Sequence, residues 1–134
     1  MVNIIDIEGV GPANAKKLRE AGVRSVAGLL KQGGTAKGRQ ALASATGIDP
    51  SRLLEWINHA DLFRIRGIGS EYADLLEAAG VDTVPELRQR NASALYKTLV
   101  KKNKEKRLVR KMPTTEQVST WVEQAKKLPR AIGY

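Results

Sequence analysis

The sequence predicts an all-α fold built from two unequal copies of one helical plan, and three observations predict it. The first is an internal repeat. Ile7-Glu8-Gly9-Val10-Gly11-Pro12-Ala13-Asn14-Ala15-Lys16-Lys17-Leu18 returns as Ile65-Arg66-Gly67-Ile68-Gly69-Ser70-Glu71-Tyr72-Ala73-Asp74-Leu75-Leu76. The echo runs on through Glu20-Ala21-Gly22-Val23 against Ala78-Ala79-Gly80-Val81, Val26 against Val84 and Leu29 against Leu87. The second is apolar spacing of helical period between residues that start and stop helices. The third is the lack of strand alternation. Ile4-Ile5-Asp6-Ile7 and Leu62-Phe63-Arg64-Ile65 are short apolar runs, but each stands before a Gly-x-Gly turn, where a short first helix is expected instead of a strand.

In chain order, Ala13–Ala21 places Ala15, Leu18 and Ala21 on one face and meets Gly22 as its stop. Ser25 starts a second helix through about Lys31, ended by Gly33-Gly34. Thr35 caps a third that runs to Thr46 and closes on Gly47. Asp49-Pro50 joins an N-cap to a proline at the first helical position and launches Ser51–Ala60. In the second half, Thr83-Val84-Pro85-Glu86 has capping-box spacing. Asn91 caps the next helix, and Thr114-x-x-Gln117 opens the last long one, which ends before Pro129.

The copies differ in length. The repeat offset is 58 residues through Leu29 and Leu87. By the time Leu53-x-x-Trp56-Ile57-x-x-Ala60 matches Val118-x-x-Trp121-Val122-x-x-Ala125 it is 65. Seven residues have therefore entered the second half between Leu87 and Val118, as a longer helix or loop. The expected division is residues 1–61 and 62–134, related by a pseudo-twofold and sharing one core, each half ending in a helical extension that carries a tryptophan.

Charge is concentrated where the copies differ. The chain carries a net +9 with a pI near 10.0. Between Arg88 and Lys111 stand ten basic side chains against Glu105 alone, an excess equal to that of the whole chain, while residues 1–62 hold only +2. A field this concentrated favours a polyanionic partner, nucleic acid before a membrane surface. Cysteine is absent, which excludes disulfides and thiolate metal sites and fits a reducing compartment. No apolar run approaches the roughly 20 residues that span a bilayer, and the start lacks a signal-peptide layout, so a cytoplasmic location is expected.

Apolar-x-Gly-apolar-Gly-x-x-x-Ala-x-x-apolar resembles the helix-hairpin-helix motif of polymerases, ligases, repair nucleases and topoisomerases. The matched positions are Ile7, Gly9, Val10, Gly11, Pro12, Ala15 and Leu18, then Ile65, Gly67, Ile68, Gly69, Ser70, Ala73 and Leu76. The likeness covers about 25 residues per copy. The wider pattern, including Asn58-His59-Ala60-Asp61-Leu62 at the joint, resembles an uncharacterised bacterial family described only as helix-hairpin-helix-containing. The resemblance implies that hairpin N–H groups hold DNA phosphates without reading sequence, and that paired hairpins straddle a minor groove.

On the residues themselves, glycine lets the turn backbone approach a ligand, Val10 and Ile68 turn inward, and Ala15 and Ala73 are small where helices cross. Candidate DNA contacts in the first copy are Gly9, Val10, Gly11, Pro12 and Ala13 with Lys16 and Lys17 beside them, Arg19 and Arg24 lying further out. In the second they are Arg66, Gly67, Ile68 and Gly69, extended by Lys101, Lys102, Lys104, Arg107, Arg110 and Lys111. Glu71 and Asp74 flank the second hairpin. They suit a helix start but repel phosphate, so the first hairpin is the better equipped. Arg64 and Arg66 offset them from the other side.

Trp56 and Trp121 read as core residues, Tyr72 and Tyr96 as partly buried, and His59 as an inter-repeat hydrogen bonder. No two-metal cluster, Walker sequence or nucleophile elbow appears. The expected function is sequence-independent binding of double-stranded or branched DNA, with no catalysis, cofactor, metal or membrane. The alternatives are a protein-interaction module and a non-catalytic subunit that tethers an enzyme to DNA.

Overall fold

The computed structural model describes residues 3–134 and is helical throughout, with no strand among the described residues. A 3-10 helix over Ile4–Asp6 precedes eight α-helices: α1 (Gly11–Glu20), α2 (Val26–Gly33), α3 (Ala36–Thr46), α4 (Pro50–Leu62), α5 (Ser70–Ala78), α6 (Val84–Arg88), α7 (Ala92–Lys106) and α8 (Thr115–Lys127). The apolar run at Leu62–Ile65 makes no helix of its own. It is the end of α4 followed by a turn.

Local chemistry accounts for most boundaries. Ser25, Thr35, Asn91 and Thr114 each accept a hydrogen bond from the N–H three residues on. Asp49 accepts from Ser51 N–H at 2.9 Å, which holds its carboxyl below the usual carboxylate range. Gly22 and Gly80 take positive φ, of 94° and 90°, so that Val23 and Val81 donate back to Leu18 and Leu76 and close α1 and α5. Thr114 and Gln117 form the full reciprocal box. Thr114→Ala is therefore expected to cost about 1 kcal/mol, read as a lower midpoint in a urea melt.

The spacing at Thr83 does not become a capping box. Thr83 makes no side-chain cap. Glu86 reaches the Asp82 backbone instead, and burial, with the Asp82 carboxylate adding to it, raises its pKa.

The chain divides into two compact units. One takes in the residues up to Asp61 together with Arg130–Tyr134, and the other is Leu62–Pro129. The last five residues thus count with the first unit, where Gly133 N–H donates to Gly34 O at 2.6 Å and the Arg39 guanidinium donates to Gly33 O and Gly133 O.

In the first unit α3 packs on α2 and α1, and the 3-10 helix packs on α1. Ile7, Val10, Ala15, Leu18, Leu53, Trp56 and Ile57 are buried there. In the second, α8 packs on α6 and α7, and α5 on α7, around Ile65, Ile68, Ala73, Leu76, Val118, Trp121 and Val122.

The seven additional residues are spread over several elements. Helix α7 has 15 residues against 11 in α3, and α6 has 5 against 8 in α2. The connection over residues 107–114 replaces the short one over residues 47–49, and the α6–α7 joint is one residue longer than the α2–α3 joint.

Candidate functional site

Each unit sets a glycine turn over a tryptophan. Gly9 has φ 87°, and a Cβ placed there would stand 3.4 Å from Trp56 Nε1. Gly67 has φ 98°, and its Cβ would stand 3.1 Å from Trp121 Nε1. Both indoles are only 2% exposed. Between the glycines, Val10 and Ile68 turn into the core, and their N–H groups donate to Ile7 O and Ile65 O. Tryptophan thus acts as the floor of the turn, a role its core-like spacing does not reveal.

The second glycines part company. Gly11 has φ 68°, whereas Gly69 is extended at φ −100°, with nothing within 4 Å of an added Cβ. The left-handed region strains any residue with a Cβ. Gly11→Ala should cost about 1 kcal/mol while Gly69→Ala stays within about 0.5 kcal/mol of wild type. Thermal melts of the two variants check the difference.

The helices that follow these turns begin without a side-chain cap. Neither α1 nor α5 has one, nor has the one-turn α6. Every other α-helix carries a Ser, Thr, Asn or Asp oxygen on its first turn. Pro12 at the start of α1 has no N–H to satisfy. A helix start of this kind presents backbone N–H groups and the positive end of the dipole, an arrangement that favours an anion.

Cations stand around the first turn. Lys16 and Lys17 are exposed one to two turns along α1. Lys16 lies 4.0 Å from Glu20 with both groups well exposed, a pairing worth little. Arg52 is a residue that the sequence reading missed. Its guanidinium donates to Gly9 O at 3.1 Å and lies 5.4 Å from the Trp56 ring centre. The available signal was helical spacing: Arg52 precedes Trp56 by one turn of α4 and shares its face.

Around the second turn the charges are arranged differently. Arg66 is exposed, and its backbone N–H and C=O are held by the Gln124 amide at 2.9 and 3.1 Å. Arg64 donates to Pro129 O at 2.7 Å, so it ties down the end of α8 instead of facing outward with Arg66. Glu71 is exposed and Asp74 half-buried. Tyr72, on the first turn of α5, donates its hydroxyl to Lys111 O at 3.0 Å and packs against Trp121 with ring centres 5.3 Å apart. The α7–α8 connection is thereby brought to the start of α5.

Part of the basic cluster has structural work. Arg90 donates to Gly80 O, as its repeat counterpart Gln32 does to Gly22 O without any charge. Arg88 donates to Leu128 O at 3.0 Å. Lys102 is half-buried and pairs with Glu105 at 3.7 Å, apart from the exposed Lys97, Lys101 and Lys104 stripe. Arg107, Arg110 and Lys111 are exposed.

A family model described as a domain of unknown function (DUF4332) matches residues 8–128. No curated protein and no solved structure matches the chain. No helix among the described residues is long and apolar enough to cross a membrane.

Proposed function

The chain belongs to the DUF4332 family, a domain of unknown function, and from its own geometry we propose that it binds double-stranded or branched DNA with little sequence preference. The observation that carries this reading is the start of α1. It is a glycine turn with φ values of 87° and 68°, without a side-chain cap, with Arg52 beside it and the exposed Lys16 and Lys17 one to two turns further along the helix.

In this reading each glycine turn with its flanking helices is a helix-hairpin-helix element. A phosphate oxygen accepts from N–H groups in the Gly9–Ala13 stretch while the neighbouring cations lower the cost of desolvating it. Contacts to the sugar–phosphate backbone position a protein without specifying bases. The second turn, with Arg66 at its edge, extends the footprint. The function is binding and not catalysis, without cofactor or metal, and the cytoplasm is its proposed location.

A titration of the protein onto a random-sequence duplex by fluorescence anisotropy tests the reading. With six phosphates neutralised, log K falls against log salt with a slope of about −5. Competition among single-stranded, duplex and branched DNA and RNA at one salt concentration ranks the forms. Flat salt dependence, with tight binding to one protein instead, would replace this reading by a protein-interaction module.

A further inference from the structure

The connection between α7 and α8 contains a costly backbone conformation. Arg107 closes α7 at φ 50°, ψ 52°, the only non-glycine residue with positive φ among the described residues. Its N–H donates to Asn103 O at 2.7 Å. The corresponding helix end in the first unit, that of α3, uses Gly47 at φ 73°. A Cβ in this region crowds the following carbonyl, a strain that glycine escapes. A cation near a helix C-terminus recovers part of the loss, but Lys104 and Lys106 already occupy the last turn of α7. Stability therefore argues for glycine here. What arginine adds is a forked set of five donors.

The backbone behind Arg107 is held on both sides. The Asn103 amide accepts from Val109 N–H at 3.0 Å and donates to Val109 O at 3.4 Å, and Val109 is buried. Tyr72 holds Lys111 O. Arg107, Arg110 and Lys111 face solvent from this pinned segment, and no carboxylate lies between Lys106 and Thr115. Upstream, Lys97, Lys101 and Lys104 share one exposed face of α7, spanning roughly 10 Å along its axis.

We infer that Arg107, with its basic neighbours on the connection and the lysine stripe of α7, forms a second contact to a nucleic-acid backbone, made by side chains and independent of the glycine turn at α1. For its partner the inference rests on the DNA-binding reading above. A stripe of this length matches about three phosphates at the 3.4 Å axial spacing of one strand. A connection already pinned by Asn103 and Tyr72 loses little freedom on binding, which favours affinity.

The experiment uses the full chain with Arg107→Gly and Arg107→Lys, each measured in a thermal melt and against a random-sequence duplex. Arg107→Gly should melt about 3 °C higher than wild type, yet bind about five-fold more weakly at low salt, with a salt slope shallower by about 1. Arg107→Lys should keep the wild-type slope. In a Gly11→Val background, Arg107→Gly should still remove about 1 from the slope.

Higher stability with unchanged binding would overturn the inference and leave the DNA-binding reading intact. A lower melting temperature, or an effect that vanishes in the Gly11→Val background, would also overturn it. Wild-type binding that does not respond to salt would sink both.

Discussion

Replacing Lys16 and Lys17 together by Glu weakens binding to a random-sequence duplex by on the order of 100-fold near 0.1 M salt. The salt slope becomes shallower by about 2, one for each lost phosphate contact. The size of the effect follows from geometry. Both ammonium groups are exposed on α1 behind an uncapped helix start, and the one carboxylate paired with Lys16, that of Glu20, is itself in water. If α1 takes a phosphate as proposed, two reversals remove two attractive charges and add two repulsive ones on the helix that holds it. The comparison at the second turn is Glu71→Lys, which should strengthen binding by less than tenfold, because Glu71 is the exposed one of the two carboxylates, Glu71 and Asp74, that flank it. Anisotropy titrations of both variants at several salt concentrations measure the contrast. Equal losses at the two turns, or none at either, would sink the asymmetric account.

Trp121→Ala lowers the stability of the chain by about 4 kcal/mol, in the range for a buried tryptophan truncated to alanine. The indole is 2% exposed, packs against Tyr72 and underlies Gly67. Its loss opens a cavity beneath the second turn and frees the Tyr72 ring, whose hydroxyl donates to Lys111 O. Urea denaturation followed by circular dichroism gives the loss of stability, and amide exchange should speed up first around Gly67–Ser70. Trp56→Ala should act with similar size in the first unit, where Arg52 also loses the ring it lies over. A loss under about 1.5 kcal/mol at either position would mean that the tryptophan does not support its turn.

Helix ends were legible because their causes are local. A Ser, Thr or Asn oxygen needs only the N–H three residues on, and Gly22 and Gly80 need only a positive φ. The same local logic failed at Thr83, where Glu86 lies beside Asp82 and joins it. Contacts between distant residues left no local trace. Arg52 meets Gly9 across 43 residues and Tyr72 meets Lys111 across 39, so neither pairing is written in a motif. The ten basic residues between Arg88 and Lys111 also promised more free charge than the fold delivers, since Arg88 and Arg90 go to main-chain carbonyls. The two Gly-x-Gly turns read alike, yet Gly11 is left-handed and Gly69 is extended. The residue that follows differs, Pro12 against Ser70, and the motif letters carry no further sign of the split.

An amide chemical-shift titration tests the central claim, that the start of α1 takes a phosphate through its own N–H groups. A 15N-labelled chain titrated with a short random-sequence duplex should show its earliest and largest shifts at Gly9, Gly11, Ala13 and Asn14, with smaller ones at Gly69–Tyr72. The result that contradicts the account is saturable duplex binding in which these four amides stay still and the shifts fall elsewhere.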